Sequence, residues 1–206
     1  MSATIQRYVL LAAAGLVAVI LGISLSLLVF TPQQDASSGS LGGVGRAQIG
    51  GPFELVDRNG TVVTEAALEG QMNLIYFGYT FCPDFCPTEL ANMAQAKAAL
   101  AERGVETQLV FVSIDPERDT PEIMGEYADA FDPEMLALTG SVAQVAKAAN
   151  AYRVIYRKAE DEDFPDGYAM DHSTFVYAVD AQGQFVTVFT YQTDPQEIAE
   201  KLAPQS

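Results

Sequence analysis

Basic side chains are scarce in this chain: 11 Lys and Arg stand against 27 Asp and Glu in 206 residues, a formal net charge of −16. That deficit argues against binding nucleic acid and against docking on anionic lipid, both of which need a basic face. It suits a soluble partner with a basic patch, or a cation. Histidine occurs once, as His172, and cysteine only twice, as Cys82 and Cys86. Thiol and imidazole chemistry is therefore confined to three positions. No internal repeat is evident. Charge is missing altogether from Tyr8 to Phe30, and no Lys or Arg occurs between Arg7 and Arg46.

The uncharged run "YVLLAAAGLVAVILGISLSLLVF" reads as a membrane-spanning helix. At about 1.5 Å per residue it reaches roughly 34 Å, enough to cross a bilayer core of about 30 Å. The rival is a cleaved signal peptide, whose apolar region runs about 7 to 15 residues and ends at a small-x-small site. Here the run is longer and passes into "TPQQDASSGS" without a clear A-x-A. Arg7 on one side, against the absence of basic residues on the other, places residues 1–7 in the cytoplasm and the rest outside it. Residues 8–30 are then an anchor. Residues 31–51, rich in Ser, Gly and Gln, form a flexible tether, and a single globular domain occupies 52–206.

Within that domain Asn59-Gly60 predicts a tight hairpin between 53–56 and 61–63. The continuous apolar run "NLIYFGY" at 73–79 predicts a buried central strand, and "QLVFVSI" at 108–114 a second one. A helix over 89–103 separates them. Thr120-Pro121 caps another helix running to about Phe131, and Ser141 with Gln144 makes a capping box for a helix to about Ala151. A short strand at 153–158, the acidic loop 159–171, a strand, turn and strand over 173–191, and a helix capped by Asp194 complete the pattern. Strands alternating with helices, then a closing hairpin and helix, imply an α/β sandwich with a mixed sheet. In such a sheet ligands gather beyond the carboxyl ends of the central strands, where "GYTFCPDFCPTEL" falls.

Cys82 and Cys86 are four residues apart at a helix start, so both sulfurs can point to one place. The partial positive charge there lowers a thiol pKa. Asp84 between them opposes the thiolate but welcomes a cation. A structural disulfide would close only a tiny loop and so stabilise little. His172 sits just before a predicted strand, in a loop that faces the cysteine turn if that strand neighbours the 73–79 strand. Two thiolates and one imidazole then make a three-donor set. Soft thiolates select Cu(I), and zinc would need a fourth ligand such as Asp171 or water. Calcium and magnesium, which want several oxygens, do not fit.

The segments "YFGYTFCPDFCPTEL", "SIDPERDTPE" and "MDHSTFVYAVD", in that order behind one apolar span, closely resemble the Sco/SenC family of copper proteins. The resemblance covers essentially Gly51 to Leu202. It implies a thioredoxin-like fold anchored to the membrane and binding one copper, Cu(I) or Cu(II), through Cys82, Cys86 and His172. It further implies a role in assembling the dinuclear copper centre of cytochrome c oxidase subunit II, by delivering copper or by reducing that subunit's cysteines. The location so implied is the bacterial inner membrane with the domain in the periplasm, or the mitochondrial inner membrane in a eukaryote. Other copper chaperones or thioredoxin-like reductants are further partners under this reading.

Two alternatives stand beside it. A thiol–disulfide reductase would use Cys82 and Cys86 and leave His172 unexplained. A peroxiredoxin-like peroxidase is suggested by "CPTE" at 86–89 and would need an arginine, Arg153 for example, near Cys86. "DPERDTPE" reads as turn and cap chemistry. Tyr76, Phe77, Tyr79, Phe81 and Phe85 read as core and shield, and the acidic loop as a solvated segment leading to His172.

Overall fold

A computed structural model describes residues 49–204. The expected span at 8–30 and the tether up to residue 48 lie outside them. Among the described residues no helix is long and apolar enough to cross a membrane. Strands β1 (Glu54–Val56) and β2 (Val62–Thr64) form the expected hairpin. The Asp57 side chain accepts from the N–H groups of Asn59 and Thr61, 2.8 Å each, and Gly60 takes a φ of 73° in the turn. After a short 3-10 turn at Glu65–Leu68 come β3 (Met72–Gly78), α1 (Phe85–Glu102), β4 (Thr107–Ser113), α2 (Pro121–Asp129), β5 (Leu136–Leu138), α3 (Val142–Ala151), β6 (Tyr156–Glu160), β7 (Tyr168–His172), β8 (Val176–Val179), β9 (Phe185–Phe189) and α4 (Pro195–Leu202).

The main sheet has the order β5-β4-β3-β8-β9. β3, β4 and β5 run parallel, while β8 and β9 pair antiparallel beside β3. This mixed α/β arrangement, a parallel strand–helix–strand unit followed by a hairpin and helix, is thioredoxin-like. Leu74, Ile75, Tyr76 and Phe77 are all buried, so β3 is covered on both faces, as its unbroken apolar sequence requires. Strand alternation sorts the cover. Ile75 and Phe77 face Leu55, Ala148 and Tyr152, from β1 and the α3 end. Tyr76 and Gly78 face the other way, towards α1 and Phe111.

Two expectations needed adjustment, and one strand, β5, was not foreseen. β5 is only three residues long and carries no periodic signal. The cysteine-bearing helix starts at Phe85, earlier than the Glu89 onset of its apolar spacing and in keeping with a helix start at the cysteines; Pro87 is tolerated in its first turn, where no N–H is needed. The acidic 159–171 stretch is largely a hairpin: β6 and β7 pair antiparallel from Tyr156↔His172 to Glu160↔Tyr168, with only the turn at 161–167 irregular. His172 thus lies on a strand rather than in a loop.

Gly78, the last residue of β3, is constrained by its neighbours. A Cβ built there would lie 2.8 Å from Cys86 Sγ and 3.0 Å from both the Phe111 and Tyr76 rings. All three are buried and cannot move aside freely. Gly78→Ala should therefore overpack the sheet end and cost about 1 to 3 kcal/mol. A urea unfolding midpoint equal to that of the parent would show slack that the packing does not suggest.

Candidate metal and thiol site

The chain leaves β3 at Gly78, runs through Tyr79–Asp84 and enters α1. Cys82 N–H donates to the Tyr79 carbonyl at 3.3 Å, which turns the loop back on itself. The Cys86 N–H, in the first turn of α1, donates to Cys82 Sγ at 3.3 Å. Neither thiol is bridged. Cys86 has no exposed surface, whereas Cys82 keeps 7 % and lines a cleft of about 460 Å³ together with Asp84, Met170 and His172.

His172 arrives from the far side. Its Nε2 is 3.7 Å from Cys86 Sγ, although 86 residues separate them in sequence. Its Nδ1 is 3.0 Å from the Ser173 carbonyl oxygen. A carbonyl can only accept, so this bond assigns the proton to Nδ1 and leaves a lone pair on Nε2 aimed at the sulfur. The rings of Tyr76 and Tyr79 meet the imidazole edge-on, centroids 6.0 Å away in both cases, and fix its plane. Tyr76 also reaches Cys86 Sγ with its hydroxyl, at 3.9 Å.

The thiols are unequal. A hydrogen bond from the Cys86 side chain, assisted by the backbone N–H groups of Cys86 and Asp84, outweighs burial and holds the Cys82 pKa far below the usual thiol range. Burial, then the neighbouring Cys82 sulfur, pushes Cys86 well above it. The pair gives up its first proton readily, on the cleft side, and retains its second. Such a pair can attack a disulfide or, fully deprotonated, hold a soft ion.

All three predicted donors are therefore brought together. Arg153 is not: it is exposed beyond α3 with a φ of 60°, and among the described residues no contact joins it to Cys86, which removes the arginine the peroxidase reading required. Of the expected aromatic shield, Tyr76, Phe77 and Tyr79 are buried, but Phe81 and Phe85 are 36 % and 50 % exposed and form a rim. Phe85 packs on Tyr191, centroids 5.2 Å apart.

"DPERDTPE" does more than turn the chain. Thr120 caps α2 as expected, accepting from the Ile123 N–H. Asp119, however, is wholly buried and accepts from Thr80 N–H, from Thr80 Oγ1 at 2.6 Å and from Ser113 Oγ at 2.6 Å. It stitches the cysteine loop to the end of β4. Glu89, one turn after Cys86, is also fully buried and accepts from Gln192 N–H at 2.8 Å, holding the approach to α4. Burial raises the pKa of both carboxyls. Acidic residues flanked by Pro, Thr and Ser look like surface turns in sequence; only the adjacent apolar strands hint that these are interior.

Comparisons with known proteins agree with this architecture. The SCO1/SenC family profile matches residues 43–205. Protein SenC of Rhodobacter capsulatus is 36% identical over 194 residues, 93% of this chain and 87% of its own length. An SCO2-like protein of Rickettsia felis is 39% identical over 155 residues, 75% of this chain and 76% of its own. Among solved structures, Arabidopsis thaliana ScoI with copper bound superposes with a TM-score of 0.72 at 40% identity, covering 75% of this chain and 96% of that one. Bradyrhizobium japonicum ScoI with copper bound gives 0.67 at 42%, covering 75% and 97%. The match of the family profile over residues 43–205, with relatives 36 to 39% identical, shows that the chain belongs to the SCO1/SenC family.

Proposed function

We propose that this chain is a membrane-anchored copper carrier that holds one copper through Cys82, Cys86 and His172. The observation that carries the proposal is the 3.7 Å approach of His172 Nε2 to Cys86 Sγ across the fold. Metal bonds to sulfur and nitrogen, about 2.3 and 2.0 Å for zinc, are long enough together for one ion to be held between donors 3.7 Å apart. Among the described residues no set of three His, Cys, Asp or Glu side chains stands ready-made as a metal cage. Cys82, Cys86 and His172 would hold the ion, with both thiols deprotonated. Two thiolates and a neutral imidazole suit copper, and the buried tyrosines and apolar floor limit solvent access to it. The copper-bound relatives support the same cargo.

In this reading residues 8–30 anchor the chain, 31–51 tether it, and the domain works on the exported side: the periplasm of a bacterium or the corresponding face of the mitochondrial inner membrane. Its recipient is the copper domain of cytochrome c oxidase subunit II. The acidic balance of the chain suits a basic docking surface on that partner. The tether raises the local concentration of the site near membrane-bound acceptors. A second reading, reduction of the partner's cysteines, is supported by the depressed pKa of Cys82 beside a buried Cys86.

Reduced protein should bind one copper per chain, and His172→Ala should weaken it by at least about tenfold, since even supporting groups around a metal carry that much. Competition against a chromogenic chelator measures this, and unchanged affinity would remove the imidazole from the ligand set. For the thiol reading, iodoacetamide should label Cys82 before Cys86, with a rate midpoint below about pH 7; a midpoint near the unperturbed value of about 8.5 contradicts it.

A further inference from the structure

The β6–β7 hairpin that carries His172 pairs with no strand of the main sheet. A lone two-stranded hairpin is marginally stable by itself, so whatever bolts it to the body decides where the imidazole stands. Met170 packs into the hydrophobic core, and one side chain adds polar and stacking ties. Arg118, 8 % exposed, follows β4 in the loop that contains the more deeply buried Asp115. Its Nε donates to Asp115 Oδ2 at 2.5 Å, and its Nη1 donates to the Tyr168 carbonyl at 3.1 Å. Tyr168 returns the contact by donating its hydroxyl to Asp115 Oδ1 at 2.9 Å. The ring is closed: carboxylate, guanidinium and tyrosine each touch the other two.

The guanidinium is also stacked. Its central carbon lies 3.7 Å from the Tyr168 ring centroid and 4.8 Å from that of Phe81. Tyr168 opens β7, four residues before His172, on the same strand face. Phe81 immediately precedes Cys82. Arg118 therefore touches both the segment bearing the imidazole and the segment bearing the cleft-side thiol. Lys158, paired with Glu117 and 4.3 Å above the Tyr168 ring, adds an outer contact on the same hairpin.

We infer that Arg118 is a positioning residue for copper: with Asp115 and Tyr168 it latches the β6–β7 hairpin over the Cys82 loop and keeps His172 within bonding reach of the sulfurs. The inference rests on the copper reading above for its consequence, but not for its mechanics. Arg118 contributes through planarity as well as charge, because only a guanidinium can stack on two rings while donating in two directions. Lysine at this position keeps the charge and loses both properties.

The latch is tested first without metal. In the full apo chain, Arg118→Lys should speed amide exchange at Tyr168–His172 about tenfold, the loss expected for one charge-assisted hydrogen bond with its stacked contact, while β3 amides keep their parent rates. Tyr168→Leu, at a half-exposed position, should do the same and serves if the arginine variant does not fold. Parent-like exchange at Tyr168–His172 in a folded variant overturns the latch. Copper then tests the positioning role. Dissociation into excess chelator should also quicken about tenfold in Arg118→Lys, and the Cu(II) signal should lose imidazole nitrogen coupling. In a His172→Ala background the same substitution should change dissociation by less than about twofold, as for two residues acting through one contact. An equal effect in both backgrounds shows that Arg118 acts elsewhere. Should His172→Ala alone leave copper affinity intact, the copper reading fails, while the metal-free exchange result still decides the latch.

Discussion

The site depends on seating a side chain with no exposed surface against the end of the central strand. Cys86 sits where a residue on α1 meets the last residue of β3, and that residue has no side chain of its own. The parallel pairing of β3 with β4 brings the two strand ends level, Gly78 opposite Ser113. Antiparallel β8 on the other side returns the chain so that β7, just upstream, ends beside the same spot. Three distant stretches meet there because the sheet order puts their ends at one edge of the molecule.

Polar groups then hold what the sheet has gathered. Asp119 anchors the cysteine loop through Thr80 and Ser113, and the Ser173 carbonyl selects the imidazole tautomer. Buried carboxylates are costly unless their lone pairs are used. Here Asp115 accepts from Arg118 and from Tyr168 of β7, and Asp119 from Thr80 and from Ser113 of β4, which converts a burial cost into a fixed geometry. The tyrosines complete the enclosure, with Tyr76 facing both a sulfur and the imidazole.

Much of this was legible beforehand, for identifiable reasons. Continuous apolar runs marked β3 and β4, because strands covered on both faces cannot alternate. Thr120, Ser141 and Asp194 announced their helices by side chains that cap them in the structure. The three candidate donors were found because the chain contains so few of their kind. What escaped was structure without a local signature. β5 is too short to show a period. β7 alternates Tyr168, Met170 and His172 inward with Ala169 and Asp171 outward, but its acidic setting imitates a solvated loop. Arg118 and Asp119 look like turn residues until the fold encloses them.

The unequal burial of the two sulfurs gives the site a front and a back. Cys86 is sealed beneath α1 and β3, and only Cys82 borders the cleft. Anything entering the cleft meets Cys82 first. On the proposed copper or thiol reading, exchange would begin at the outer sulfur, with the inner one following from within the protein interior.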